Sequence, residues 1–206
     1  MKKVHNYFLP DSDIHFERMI NKRIAQGGPP EYQDDVRDEA YKYVNDFDIC
    51  VDVGANVGLW TVPLSKEFNK VIAFEPMQQV YECLLENTKE LNNVILNNFA
   101  LGSESKNLNM VFNPENTGNS YIDGTPGNIK VKKLDDSFMP KFSLIKIDCE
   151  RYELEVLKGG VQTLLKYKPI VIVEQHPDTE ECAGNFLREL GAKELSNVRK
   201  DYIFGW

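Results

Sequence analysis

Five short apolar runs set the strongest limit on the fold: Ile49-Cys50-Val51, Val71 to Phe74, Val94 to Leu96, Leu144 to Ile147 and Ile170 to Val173. Each has strand length and ends in polar or turn residues. Helical patterns lie between and after them. Val57, Trp60, Thr61, Leu64 and Phe68 mark one helix, with Pro63 near its start, and Val80, Leu84, Thr88 and Leu91 share one face of another. Tyr152 to Lys158 forms a third, stopped by Gly159-Gly160, and a fourth runs through Phe186, Leu187 and Leu190. Strands separated by helices pair in parallel through right-handed crossovers. Ala192 to Leu195 and Asp201 to Phe204 read as a closing antiparallel pair. The expectation is an α/β, Rossmann-like fold: about seven strands, mostly parallel, an antiparallel C-terminal strand, and helices on both faces.

A chain of 206 residues suits one substantial core. Residues 1–30 read as an N-terminal appendage or lid, with Ser12 as a helix cap, ending at Gln26-Gly27-Gly28-Pro29-Pro30. Residues 31–206 read as a single domain, entered through an amphipathic helix from Asp34 or Asp35 to Asn45. The middle breaks the alternation: Leu108 to Phe112 and Ile129 to Val131 read as short strands around the polar run Asn113 to Ser120. Such an excursion commonly carries function. No apolar run approaches the roughly 18 residues of a membrane span, and Met1-Lys2-Lys3 is not followed by a signal-peptide core. The expected setting is cytoplasmic, with no membrane partner. A net charge of −8 disfavours nucleic acid. Cys50, Cys83, Cys149 and Cys182 lack metal-ligand spacing and read as reduced thiols.

The first strand runs into Asp52-Val53-Gly54-Ala55-Asn56-Val57-Gly58, at the carboxyl edge where parallel sheets bind ligands. Glu75 ends the second strand 21 positions after Gly54, where a carboxylate can accept both hydroxyls of a ribose. Together they specify a nucleoside. A dinucleotide turn would read G-x-G-x-x-G so that a pyrophosphate can approach, but Ala55 and Asn56 replace the middle glycine. Asp52 would repel a diphosphate and favour a cation.

These residues, with Phe74-Glu75-Pro76 and the segment Ile145-Lys146-Ile147-Asp148-Cys149-Glu150-Arg151-Tyr152-Glu153-Leu154-Glu155-Val156-Leu157-Lys158-Gly159, resemble the FkbM family of methyltransferases. The resemblance implies a class I methyltransferase fold, S-adenosylmethionine as cofactor, and O-methylation of a hydroxyl on a sugar or other small molecule. Carried over, Asp52, Gly54, Asn56 and Gly58 surround the methionine half of the donor, Glu75 holds the ribose, and Asn98, Phe99 and Ala100 lie against adenine. One position departs from the family pattern: Arg151 stands where glycine is usual, which implies a reshaped loop because arginine takes positive φ at a cost. The competing readings are an RNA or protein methyltransferase, an NAD-type nucleotide-binding oxidoreductase, and a non-catalytic nucleoside-binding module.

Methyl transfer to a hydroxyl needs alignment and a proton acceptor. Asp148 and Glu150, at the end of the fourth strand, and His176, after the fifth, are the catalytic candidates, with His176 preferred because imidazole titrates near neutral pH. A divalent metal on Asp148, Glu150 and Glu174 is the weaker reading, and no metal is expected. The oligomeric state and the acceptor's identity have no signature in the residues.

Overall fold

The computed structural model describes residues 1–175 and 182–206. The chain opens with a hairpin, β1 (Lys2–Val4) and β2 (Tyr7–Leu9), followed by α1 (His15–Ala25) and α2 (Asp34–Tyr41). The alternating region begins as β3 (Ile49–Val53), α3 (Thr61–Glu67), β4 (Lys70–Phe74), α4 (Gln78–Thr88) and β5 (Val94–Asn97). The excursion holds β6 (Ala100–Leu101), β7 (Lys106–Val111), a single 3-10 turn at Thr117–Asn119, β8 (Tyr121–Pro126) and β9 (Ile129–Lys132). Alternation resumes with β10 (Leu144–Ile147), α5 (Glu153–Lys158), α6 (Val161–Tyr167), β11 (Ile170–Glu174) and α7 (Ala183–Glu189), and closes with β12 (Lys193–Val198) and β13 (Asp201–Gly205).

The main sheet has seven strands in the order β12-β13-β11-β10-β3-β4-β5. From β11 to β5 every pairing is parallel, while β13 runs antiparallel to both β11 and β12. From β3 the chain winds outward to β5, and from β10 it winds the other way to β11. The gap between those windings, beyond the carboxyl ends of β3 and β10, is the place such sheets leave for ligands. Both faces of the sheet are covered, so its central strands are apolar on both faces rather than alternating, with Asp52 and Lys146 the charged exceptions in β3 and β10. Val51, Val53, Ile145, Ile147, Val171 and Val173 pack in one core with residues of α5, α6 and α7. Their neighbours Cys50, Leu144 and Ile172 pack in a second with Val36 and Ala40 of α2 and Leu64 of α3. The excursion forms its own four-stranded sheet, β6-β9-β7-β8.

Several boundaries differ from expectation. The helix anticipated around Val57 begins at Thr61, which makes Pro63 its third residue, where the missing N–H is one of the helix's free donors. The entry helix stops at Tyr41 rather than Asn45. Gly159-Gly160 separates two helices rather than ending one; a Cβ on Gly159 would lie 1.9 Å from the Gly102 carbonyl oxygen, so the glycine serves close packing. Asp13, not Ser12, supports the start of α1, its carboxylate accepting the Phe16 N–H at 2.9 Å. No described helix is long and apolar enough to cross a membrane. All four cysteines are free thiols.

Candidate active site

The glycine turn follows directly from β3. Gly54 has φ +77°, and a Cβ there would lie 1.9 Å from the Asp148 carbonyl oxygen. The turn after β3 and the end of β10 therefore touch, backbone on backbone. The N–H groups of Gly54 and Ala55 both donate to the Phe74 carbonyl at 3.0 Å, tying the turn to the end of β4. Asn56, also left-handed at φ +50°, caps the turn by accepting the Val57 N–H on its own Oδ1 at 2.8 Å.

A cavity opens at this junction. Gly54, Asn56, Glu75, Lys146, Asp148 and Glu150 form its inner wall, with Glu174 at the end of β11. Glu75 is only 5% exposed, and each of its carboxylate oxygens accepts one backbone N–H: Oε2 from Asn56 at 3.0 Å and Oε1 from Met77 at 2.8 Å. Burial pushes its pKa up to about 7 against the pull of those two bonds. Each oxygen keeps a free lone pair for a second donor. Glu150 is also raised to about 7, first by burial and then by the Glu174 and Asp148 carboxylates. Carboxylate oxygens of Asp148, Glu150 and Glu174 lie within 4.8 Å of one another, close enough to share a cation.

Lys146 is the cavity-wall residue that sequence reasoning missed. Its Nζ donates to the Gly54 carbonyl at 3.1 Å and lies 3.4 Å from Asp148 and 3.5 Å from Asp52. Burial alone would lower its pKa, but Asp148 and Asp52 raise it, so it stays charged. Its signal was visible: a lysine inside an apolar, doubly covered strand requires a buried partner.

Asp52 is that partner, which places it differently from expectation. Its side chain is fully buried, accepts the Thr61 hydroxyl at 2.7 Å, and does not border the cavity. Gly58 also lies off the wall; a Cβ there would meet Leu84 at 2.9 Å, so its role is to let α4 pack closely. Asn98 turns its amide to the Glu75 and Pro76 carbonyls at 2.9 and 3.2 Å, and Phe99 packs edge-on against Phe74. Both support the wall from behind, while Ala100 borders it. His176 lies outside the described residues.

The outer wall joins two distant segments. Asp13, fully buried, accepts the backbone N–H and the hydroxyl of Thr117 at 3.1 and 2.6 Å, and the N–H groups of Ile14 and His15 donate to the Glu115 carbonyl. The Thr117 hydroxyl also lies 3.2 Å from Asn56 Oδ1. The start of the chain, the excursion and the glycine turn are thus linked at one point. Further round, Gln33 accepts the Trp60 indole N–H at 2.7 Å and donates to Asp201 at 3.2 Å, fixing Tyr32 and Gln33 beside the cavity.

Known proteins resemble this chain in sequence and in fold. Residues 52–193 match the Methyltransferase FkbM domain. The hexuronic acid methyltransferase AglP of Haloferax volcanii is 32% identical over 166 residues, covering 76% of this chain and 69% of that protein. Among solved structures, the methyltransferase FkbM of Methylobacillus flagellatus superposes with a TM-score of 0.51 at 18% identity, covering 77% of this chain and 43% of that one. SMU.1697c of Streptococcus mutans, solved in complex with SAH, gives 0.53 at 12% identity, covering 85% and 97%.

Proposed function

Because the chain belongs to the FkbM methyltransferase family, we propose that its cavity binds S-adenosylmethionine and passes the methyl group to a hydroxyl of a sugar or another small molecule. Glu75 carries this reading: a buried carboxylate at the end of β4, oriented by two backbone N–H groups and with lone pairs to spare, suits the paired hydroxyls of a ribose. The remaining inner wall suits a cation. Asp148, Glu150 and Glu174 would repel the diphosphate of a dinucleotide and attract a sulfonium and an ammonium. The family and fold support S-adenosylmethionine as the donor, and the name of the Haloferax relative makes a sugar the first acceptor to test.

S-adenosylmethionine supplies a methyl group already activated on sulfur. The protein's own work is to hold donor and acceptor in line, keep water out and take a proton. Glu75 and the Gly54–Asn56 turn orient the nucleoside. Lys146 locks the Gly54 carbonyl and Asp148 in place. Glu150, with its pKa near 7, is poised to accept the hydroxyl proton, and His176 is the second candidate for that role. The test is transfer of a labelled methyl group from S-adenosylmethionine to a panel of sugars and small alcohols. Glu150→Gln is expected to lower kcat by about 10²- to 10⁴-fold, with a much smaller loss of donor affinity because Asp148 and Glu174 remain. Full activity in that variant would remove Glu150 as the base.

A further inference from the structure

A second groove adjoins the cavity on its outer side. Ile14, His15, Arg18 and Lys22 form one wall, and Asn113, Glu115 and Asn116 contribute the other; His15 and Asn116 border both spaces. The two differ in charge. Inside, Glu75, Asp148, Glu150 and Glu174 face one ammonium, Lys146, which is already shared among Asp52, Asp148 and Gly54. Outside, Arg18 and Lys22 lie one turn apart on α1; among the described residues neither forms an ion pair and Glu115 is the only carboxylate lining that groove. The chain as a whole carries −8, so the groove is locally cationic against an acidic total. The groove is also rigid. Asp13 and the Glu115 carbonyl bond its two walls together, so Arg18 and Lys22 are carried on a fixed frame.

At the junction, Asn116 Oδ1 is buried without a hydrogen-bond partner. A buried acceptor left unpaired is destabilising, and a ligand hydroxyl would satisfy it.

We propose that this groove is the outer half of the acceptor site, taking a phosphate or diphosphate attached to a neutral sugar whose ring passes Asn116 into the cavity. The inference rests on the methyltransferase reading above and narrows its acceptor. A carboxylate on the reacting ring would face the acidic inner wall. An anion at the far end of the sugar reaches Arg18 and Lys22 instead. Phosphate is favoured over carboxylate because a guanidinium and an ammonium one helical turn apart can engage several oxygens of one group.

The test begins with S-adenosylhomocysteine-loaded protein titrated with inorganic pyrophosphate and followed by NMR on the Arg18 Nε–H and the backbone amides of residues 14–22, 113, 115 and 116. Saturable shifts confined to these groups are expected, and their loss in Arg18→Glu/Lys22→Glu. Calorimetry with glucose, UDP-glucose and a short-chain prenyl diphosphate glucose then separates a soluble carrier from a lipid one. At least one diphosphate sugar is expected to bind ten times or more as tightly as glucose, with that advantage gone in the double variant and at high salt. No pyrophosphate shifts, equal shifts in the variant, or equal affinity for all three sugars would overturn the proposal. A protein that fails to bind S-adenosylhomocysteine at the first step defeats the donor reading instead, and the pyrophosphate titration can still be read without it.

Discussion

At Arg151 the backbone adopts φ +70°, immediately after Glu150 at φ +48°. Both residues are in the left-handed region that glycine adopts without cost, so the arginine bears strain there. A non-glycine residue there costs about 1–2 kcal/mol. The exposed guanidinium lies 6.0 Å from the Tyr121 ring, at the limit of a cation–π contact, so little is lost with it. Arg151→Gly is expected to stabilise the protein by about 1 kcal/mol, raising the melting temperature by roughly 2–4 °C in a calorimetric scan. A lower melting temperature would mean that the side chain supports the fold in some other way. Single residues were also where the sequence was least legible. Asp52 and Glu75 both sit at strand ends beside the glycine turn. Linear spacing does not tell that one points into the core toward Lys146 while the other borders the cavity, because the direction is set by the pleat and by which neighbour carries the opposite charge.

Among elements, the central strands were readable because burial on both faces leaves them almost wholly apolar, and the turns beside them carry glycine. The excursion was harder. β8 reads Tyr-Ile-Asp-Gly-Thr-Pro, with most of its residues exposed, so no apolar pattern announces it. Its pairing with β7, not its composition, makes it a strand. The contact between the N-terminal segment and the excursion was equally hidden, since Asp13 and Thr117 are 104 positions apart. Asp13 holds three donors at once: the Phe16 N–H, the Thr117 N–H and the Thr117 hydroxyl. Asp13→Ala leaves buried donors unpaired, and a loss of about 2–4 kcal/mol is expected. Hydrogen exchange should quicken together in residues 10–20 and 113–120 while β3, β4 and β10 stay protected. Exchange that quickens in only one of the two segments would show that they are not joined through Asp13.

At the scale of the whole molecule, carboxyl groups gathered at the carboxyl edge of the sheet share an unusual property. Burial first, and neighbouring carboxylates in part, raise Glu75, Glu150, Glu153 and Asp201 to about 7. The folded protein therefore retains protons that the unfolded chain releases near pH 4. The stability linked to them is fully present below that pH and is lost as pH rises toward 7. Asp35 and Glu155 have lowered values, and their contribution is lost only in more acidic solution. The melting temperature of the ligand-free protein should fall between pH 5 and pH 8 by more than about 3 °C, the change that about 1 kcal/mol produces in a chain of this size. A flat or rising profile would contradict this charge arrangement. Donor binding should run the other way, because a ribose needs Glu75 ionised.

The most direct test of the central claim is calorimetry at pH 8 with S-adenosylhomocysteine and NAD side by side, on the native chain and on Glu75→Ala. S-adenosylhomocysteine is expected to bind and NAD not to, and the substitution is expected to weaken binding by about 1.5–3 kcal/mol, roughly tenfold to 150-fold. Binding of NAD alone, or an unchanged affinity in Glu75→Ala, would contradict that claim.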